Sequence, residues 1–126
     1  MIQIAHGWEL DVDRGPDWLF IHVRHGDQTP SDETPPLAEI IWTILNQQFC
    51  HRLVLELDDL GMLHSYLVGQ LVMLQKRIST HGGVMRVSGL SPSNQQVLRI
   101  CRLDRQIPHY ANREQAVWGQ RPQQPR

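Results

Sequence analysis

The stretch Leu53–Leu74, LVLELDDLGMLHSYLVGQLVML, decides how this chain folds. It opens inside a short apolar run, RLVLELD, broken only by Glu56. A nearly continuous apolar run of this length is the mark of a strand buried on both faces. Asp58 and Asp59 end it, and GMLHSY carries the chain round a corner. Leu67, Val68, Leu71, Val72, Leu74 and Ile78 then recur at helical spacing, which predicts a helix with a wide buried face. Ser65 stands immediately before that helical run, the natural place for an N-cap. Its hydroxyl would satisfy a free backbone N–H of the first turn, a contribution of about 1 kcal/mol. The same place favours an anion, because the helix dipole and the unbonded N–H groups are positive there. Phosphorylation would add about two negative charges and repel a partner matched to a neutral surface. Ser65 therefore reads either as a cap alone or as a cap that is also a switch.

Working outward, WELDVD at residues 8–13 alternates apolar and polar, the period of a half-buried strand. RGPD supplies a turn, and WLFIHVR, Trp18 to Arg24, is a second strand and hairpin partner. A polar loop of about a dozen residues follows, a length that is uncommon inside small domains. Thr34-Pro35-Pro36 reads as a cap with proline in the first turn of a helix carrying Leu37, Ile40, Ile41, Ile44 and Leu45 on one stripe. Beyond Ile78, HGGVMRVSGL gives another strand. Ser91-Pro92 reads as an N-cap with proline at the first helical position, and Val97, Leu98 and Cys101 line the helix it starts. QIPHY is placed as a short edge strand because proline spoils a central one. NREQAVWG is a last short helix with Asn112 as its cap. The order is ββαβαβαβα. It predicts an α/β fold with a mixed sheet of four or five strands and right-handed crossovers, helices packed against it. Residues 1–118 are expected to form one domain and 119–126 a polar, frayed tail.

Composition bounds the function. The chain has 126 residues, 40% of them apolar, with a net charge of −1, so it offers no basic surplus for nucleic acid. No apolar stretch is long enough to cross a bilayer, and the first residues lack the basic-then-apolar pattern of a secretory leader. Cys50 and Cys101 are unclustered and lie in apolar periods, which predicts two buried, reduced thiols in a cytoplasmic protein.

Four segments together resemble the STAS domain family, the fold of bacterial anti-sigma factor antagonists, over residues 8–118. RLVLELDDLGMLHS is similar to the family's strand, acidic position and loop, with Glu56 where aspartate is usual. THGGVMRVSGLSP carries the double glycine Gly82-Gly83 and the Gly89-Leu90 step. VLRICRLD ends in Leu103-Asp104, and NREQAV holds Glu114 and Ala116. In the family the loop before the second helix reads Asp-Ser-Ser-Gly or Asp-Ser-Thr-Gly, and its first serine is phosphorylated by a kinase that is itself an anti-sigma factor. Here that element is His64, Ser65, Tyr66 and Leu67, so only the phosphoacceptor matches.

The resemblance implies a non-enzymatic, protein-binding regulatory module whose partner is an anti-sigma factor or serine-kinase-like ATPase domain. Ser65 is the implied phosphorylation site. The implied contact surface runs from Asp58 through Gly69 and includes Asp58, Asp59, Met62, His64, Ser65, Tyr66 and Gly69. A second implied role is a non-switching subunit of a larger assembly, either a lipid-transport ABC system or a stress-signalling scaffold. From the residues themselves, Glu56 needs a hydrogen-bonded partner if buried. Trp42 and Tyr66 are large groups at candidate exposed positions. His22 and His25 would face opposite ways on one strand, and no HExxH, paired CxxC, GxSxG or phosphate loop occurs. No metal, cofactor, nucleic acid or membrane insertion is expected, and oligomeric state is left open.

Overall fold

The apolar run forms a strand from Arg52 to Asp59 in a computed structural model that describes residues 2–5, 7–25 and 34–118. In chain order the elements are β1 (Ile2–Ala5), β2 (Trp8–Arg14), β3 (Leu19–His25), α1 (Leu37–Gln48), β4 (Arg52–Asp59), α2 (Ser65–Thr80), β5 (Val84–Ser88), α3 (Pro92–Ile100), β6 (His109–Tyr110) and α4 (Arg113–Trp118). The sheet runs β1-β2-β3-β4-β5-β6, with β1, β2 and β3 antiparallel and β3 through β6 parallel.

Each parallel crossover steps to the next strand in the same direction. Right-handed crossovers then place α1, α2 and α3 on one face. Leu19, Ile21 and Val23 of β3 and Leu53, Leu55 and Leu57 of β4 turn to that face. They share one core with Ile41 and Leu45 of α1, Leu67, Leu71 and Ile78 of α2, and Leu98 of α3. The other face is covered in part by α4, whose Ala116 packs with Trp18 and Val54. Arg113 of α4 meets Glu56 and Ala116 meets Val54, so α4 runs back along β4. All four helices thus end at the edge of the domain where the parallel strands begin.

Several expectations are corrected. The sheet has six strands among the described residues, because Ile2–Ala5 pairs antiparallel with β2 through Ile2↔Leu10. Thr34 does not cap α1. Pro36 holds the N-cap position, and the buried Oε1 of Gln70 accepts the Ala38 N–H at 2.9 Å instead. Cys101 is exposed beyond the end of α3, where the left-handed Arg102 (φ 60°) turns the chain; Cys50 is buried. Trp42 is half-buried under the Arg77 guanidinium and beside His81, not free at an interface. The proline-containing loop at 26–33 and the tail at 119–126 lie outside the described residues.

Candidate functional site

β4 and α2 meet in a corner at the carboxyl ends of the parallel strands, where ligands of open α/β sheets gather. Ser65 is the first residue of α2 and is exposed. His64, in extended conformation (φ −95°, ψ 173°), takes the N-cap position in its place, without a side-chain cap bond. The expected N-cap is therefore displaced by one residue. The Ser65 hydroxyl has no hydrogen-bond partner among the described residues, and it sits where a helix leaves its first N–H groups without an internal partner. The ring of His64 is half-buried, with Nε2 3.3 Å from Thr34 Oγ1.

The other predicted contact residues divide. Met62, Tyr66, Asp58 and Asp59 are exposed on the segment that leads from the end of β4 into α2, and Gly69 lies one turn along α2. The carboxylate of Asp58 lies over Gly89, where any Cβ would collide with it. Gly89 also has φ +79°, so the close approach and the backbone both demand glycine. Asp59 is committed as well. His22 Nε2 donates to Asp59 Oδ2 at 2.7 Å, and His22 Nδ1 lies 3.6 Å from Glu56 Oε1.

Glu56, 9% exposed, satisfies the expectation of a partner. Arg113 grips it with both arms, Nε to Oε2 at 2.6 Å and Nη2 to Oε1 at 2.9 Å, while Nη1 reaches Asp13. The guanidinium also lies 4.3 Å from the Phe20 ring centre. Hydrogen bonding to Glu56 is the main cause that raises the Arg113 pKa above its ordinary value. On β3 the two histidines face opposite ways as expected, His25 stacking on Trp8 at 4.0 Å. Among the described residues no three histidine, cysteine or carboxylate side chains come together to hold a metal.

Two residues that build the corner carry no local sequence signal. Asn94 of α3 is 2% exposed. Its Oδ1 accepts the Leu63 N–H at 2.9 Å and its Nδ2 donates to the Gly61 carbonyl at 2.8 Å, pinning the loop that presents Ser65. His109 of β6 accepts the Leu90 N–H on Nε2 at 3.1 Å, which ties β6 to the turn after β5. Burial lowers the His109 pKa, with the charge of Asp58 opposing. Polar residues on α3 or near an edge strand look solvated in sequence; only the packing of distant elements reveals their partners.

The sequence model of the STAS domain matches residues 17–116. No curated protein matches the chain. Among solved structures, the Thermotoga maritima protein TM1081 superposes with a TM-score of 0.73 at 18% identity, over 94% of this chain and 93% of that one. An anti-sigma factor antagonist from Mycobacterium paratuberculosis gives 0.73 at 16% identity, over 93% and 97%. RsbS from Moorella thermoacetica, in a serine-to-glutamate variant, gives 0.66 at 14% identity, over 82% and 86%. At these identities the likeness speaks for the fold.

Proposed function

The chain belongs to the STAS domain family, and from that premise we propose that it is a protein-binding regulatory module of the anti-sigma factor antagonist kind. Its partner is an anti-sigma factor or serine-kinase-like ATPase domain in the cytoplasm, and residues 1–118 are the binding unit. The observation that carries this reading is the exposed Ser65 at the first position of α2, flanked by exposed Met62 and Tyr66 at the carboxyl ends of the parallel strands. Apolar side chains in water give a partner area to bury, and the hydroxyl among them gives that surface a chemical handle. Phosphate added there would stand at a helix N-terminus, where it is electrostatically welcome to this chain and unwelcome to an apolar partner. The test is incubation of the intact chain with its cognate kinase and ATP, followed by mass spectrometry. Phosphate on Ser65 supports the reading, and an unmodified Ser65 removes the switch from it.

One observation favours a second role. The exposed Tyr66 ring stands beside Ser65 where the family has a small residue, and it narrows a kinase's approach. Absence of phosphate together with retained partner binding would make the chain a non-switching subunit of a larger assembly.

A further inference from the structure

We propose that the end of the domain opposite Ser65 is a second docking surface, one that adsorbs to an anionic lipid bilayer. This does not rest on the role of Ser65. The exposed large apolar residues fall mainly into two groups. Met62 and Tyr66 lie at or just before the start of α2, and Met73 lies midway along it. Phe49, Ile100 and Trp118 are 89%, 71% and 82% exposed, and they close α1, α3 and α4. Those helices all end towards the edge where the parallel strands begin, so the three residues lie towards the same end.

Phe49 is the most telling of them. It has φ 52°, the left-handed conformation in which a helix ordinarily ends on glycine. The fold has no use for its ring, which is in water, or for a Cβ at that position. A large apolar group held there serves something outside the domain. The three tips stand on separate elements rather than in one contiguous patch. A flat, fluid surface can take such tips at once, whereas a protein partner ordinarily offers fitted pockets to a packed cluster.

Charge selects the kind of bilayer. Arg52 opens β4, and Arg102 and Arg105 lie in the segment that returns from α3 to β6; all three are exposed and make no ion pair among the described residues. Arg14 and Arg86 are engaged otherwise, donating to the carbonyls of Gln48 and Ala116 near the ends of α1 and α4. Asp13, Asp17 and Asp104 are the acids nearby, with Asp13 bonded to Arg113, while Glu9, Asp58 and Asp59 stand towards the Ser65 end. Basic side chains around apolar tips are the pattern of a peripheral contact with anionic headgroups. The contact is adsorption, since no described helix is long and apolar enough to cross a membrane.

The experiment is co-sedimentation of the full chain with vesicles of phosphatidylcholine alone and of phosphatidylcholine mixed with phosphatidylglycerol. Binding to the mixed vesicles, absent with phosphatidylcholine and abolished by high salt, is the expected result. The variant Phe49→Gly, Ile100→Ser, Trp118→Ser should bind about tenfold more weakly or worse. If that triple variant melts early, Phe49→Gly alone serves, because glycine relaxes the left-handed position and should keep or raise the melting temperature while weakening binding. No binding to the mixed vesicles at low salt overturns the proposal. So does full affinity in a folded variant, or competition by soluble polyglutamate as effective as the vesicles, which would mark an acidic protein as the occupant.

Discussion

Glu56 would be untenable in a central strand without Arg113. The ion pair is partly buried, so its desolvation offsets much of its attraction, and its removal is far costlier than its presence is stabilising. Arg113→Met leaves the carboxylate of Glu56 buried without its cation. It should lower unfolding free energy by about 2 kcal/mol, less than for a fully buried pair because Arg113 keeps part of its side chain in water. Replacing both residues with leucine should recover most of that loss, as measured by urea unfolding. Gly69 makes the opposite case. It lies inside α2 without positive φ, and a Cβ there would meet nothing within 4 Å. Gly69→Ala should therefore stabilise the fold by about 0.5–1 kcal/mol and yet weaken partner binding, if the helix face from Ser65 to Gly69 is where the partner comes close. Equal affinity with a raised unfolding midpoint would take Gly69 out of the contact surface. The sequence marks Glu56 as odd, an acid in an apolar strand. It is silent about the cause, since Arg113 lies 57 residues from Glu56.

Among the elements, the starts of α3 and α4 are legible to the residue. Ser91 Oγ accepts the Asn94 N–H and Asn112 Oδ1 accepts the Gln115 N–H, both within one turn. Local caps are written locally. The cap of α1 is not legible because it is Gln70, on a different helix, and α2 starts one residue away from the expected register because an extended His64 takes the N-cap position ahead of the serine. β1 is too short for its Ile2-Gln3-Ile4 alternation to stand alone; four residues at a sheet edge are held by pairing with β2. The corner before α2 depends on α3 in the same non-local way. Asn94→Ala leaves the Leu63 N–H and the Gly61 carbonyl without their partner and should cost about 2 kcal/mol. Faster hydrogen exchange at Leu63, with weaker partner binding though Asn94 is itself buried, is the expected accompaniment. Unchanged exchange at Leu63 would show that the loop holds itself.

At the scale of the whole molecule, the strand-to-helix alternation is enough to place one layer of helices on a mixed sheet, because right-handed crossovers leave few other arrangements. The distribution of charge between the two ends of the domain is not legible, since a net charge of −1 hides it. Stability should also depend on pH through His109. Its pKa is lowered from the ordinary 6.5 by burial, so the folded chain binds fewer protons than the unfolded chain near that value. Stability then rises with pH. The contribution of His109 is complete above about pH 6.5 and is lost as pH falls below it towards the lowered value. The melting temperature should drop across that window, and His109→Gln, whose amide oxygen can accept the same Leu90 N–H, should flatten that part of the profile. An identical profile in the variant would assign the acid sensitivity to other groups.

In the proposed role, the surface around Ser65 docks a protein, and charge at this one position governs the docking. The most direct measurement is the Kd of the proposed anti-sigma partner for the wild-type chain and for Ser65→Asp, taken by calorimetry on folded samples of equal melting temperature. Ser65→Asp should bind at least about tenfold more weakly, because a fixed negative charge is placed against a surface matched to a hydroxyl. Equal dissociation constants would contradict it.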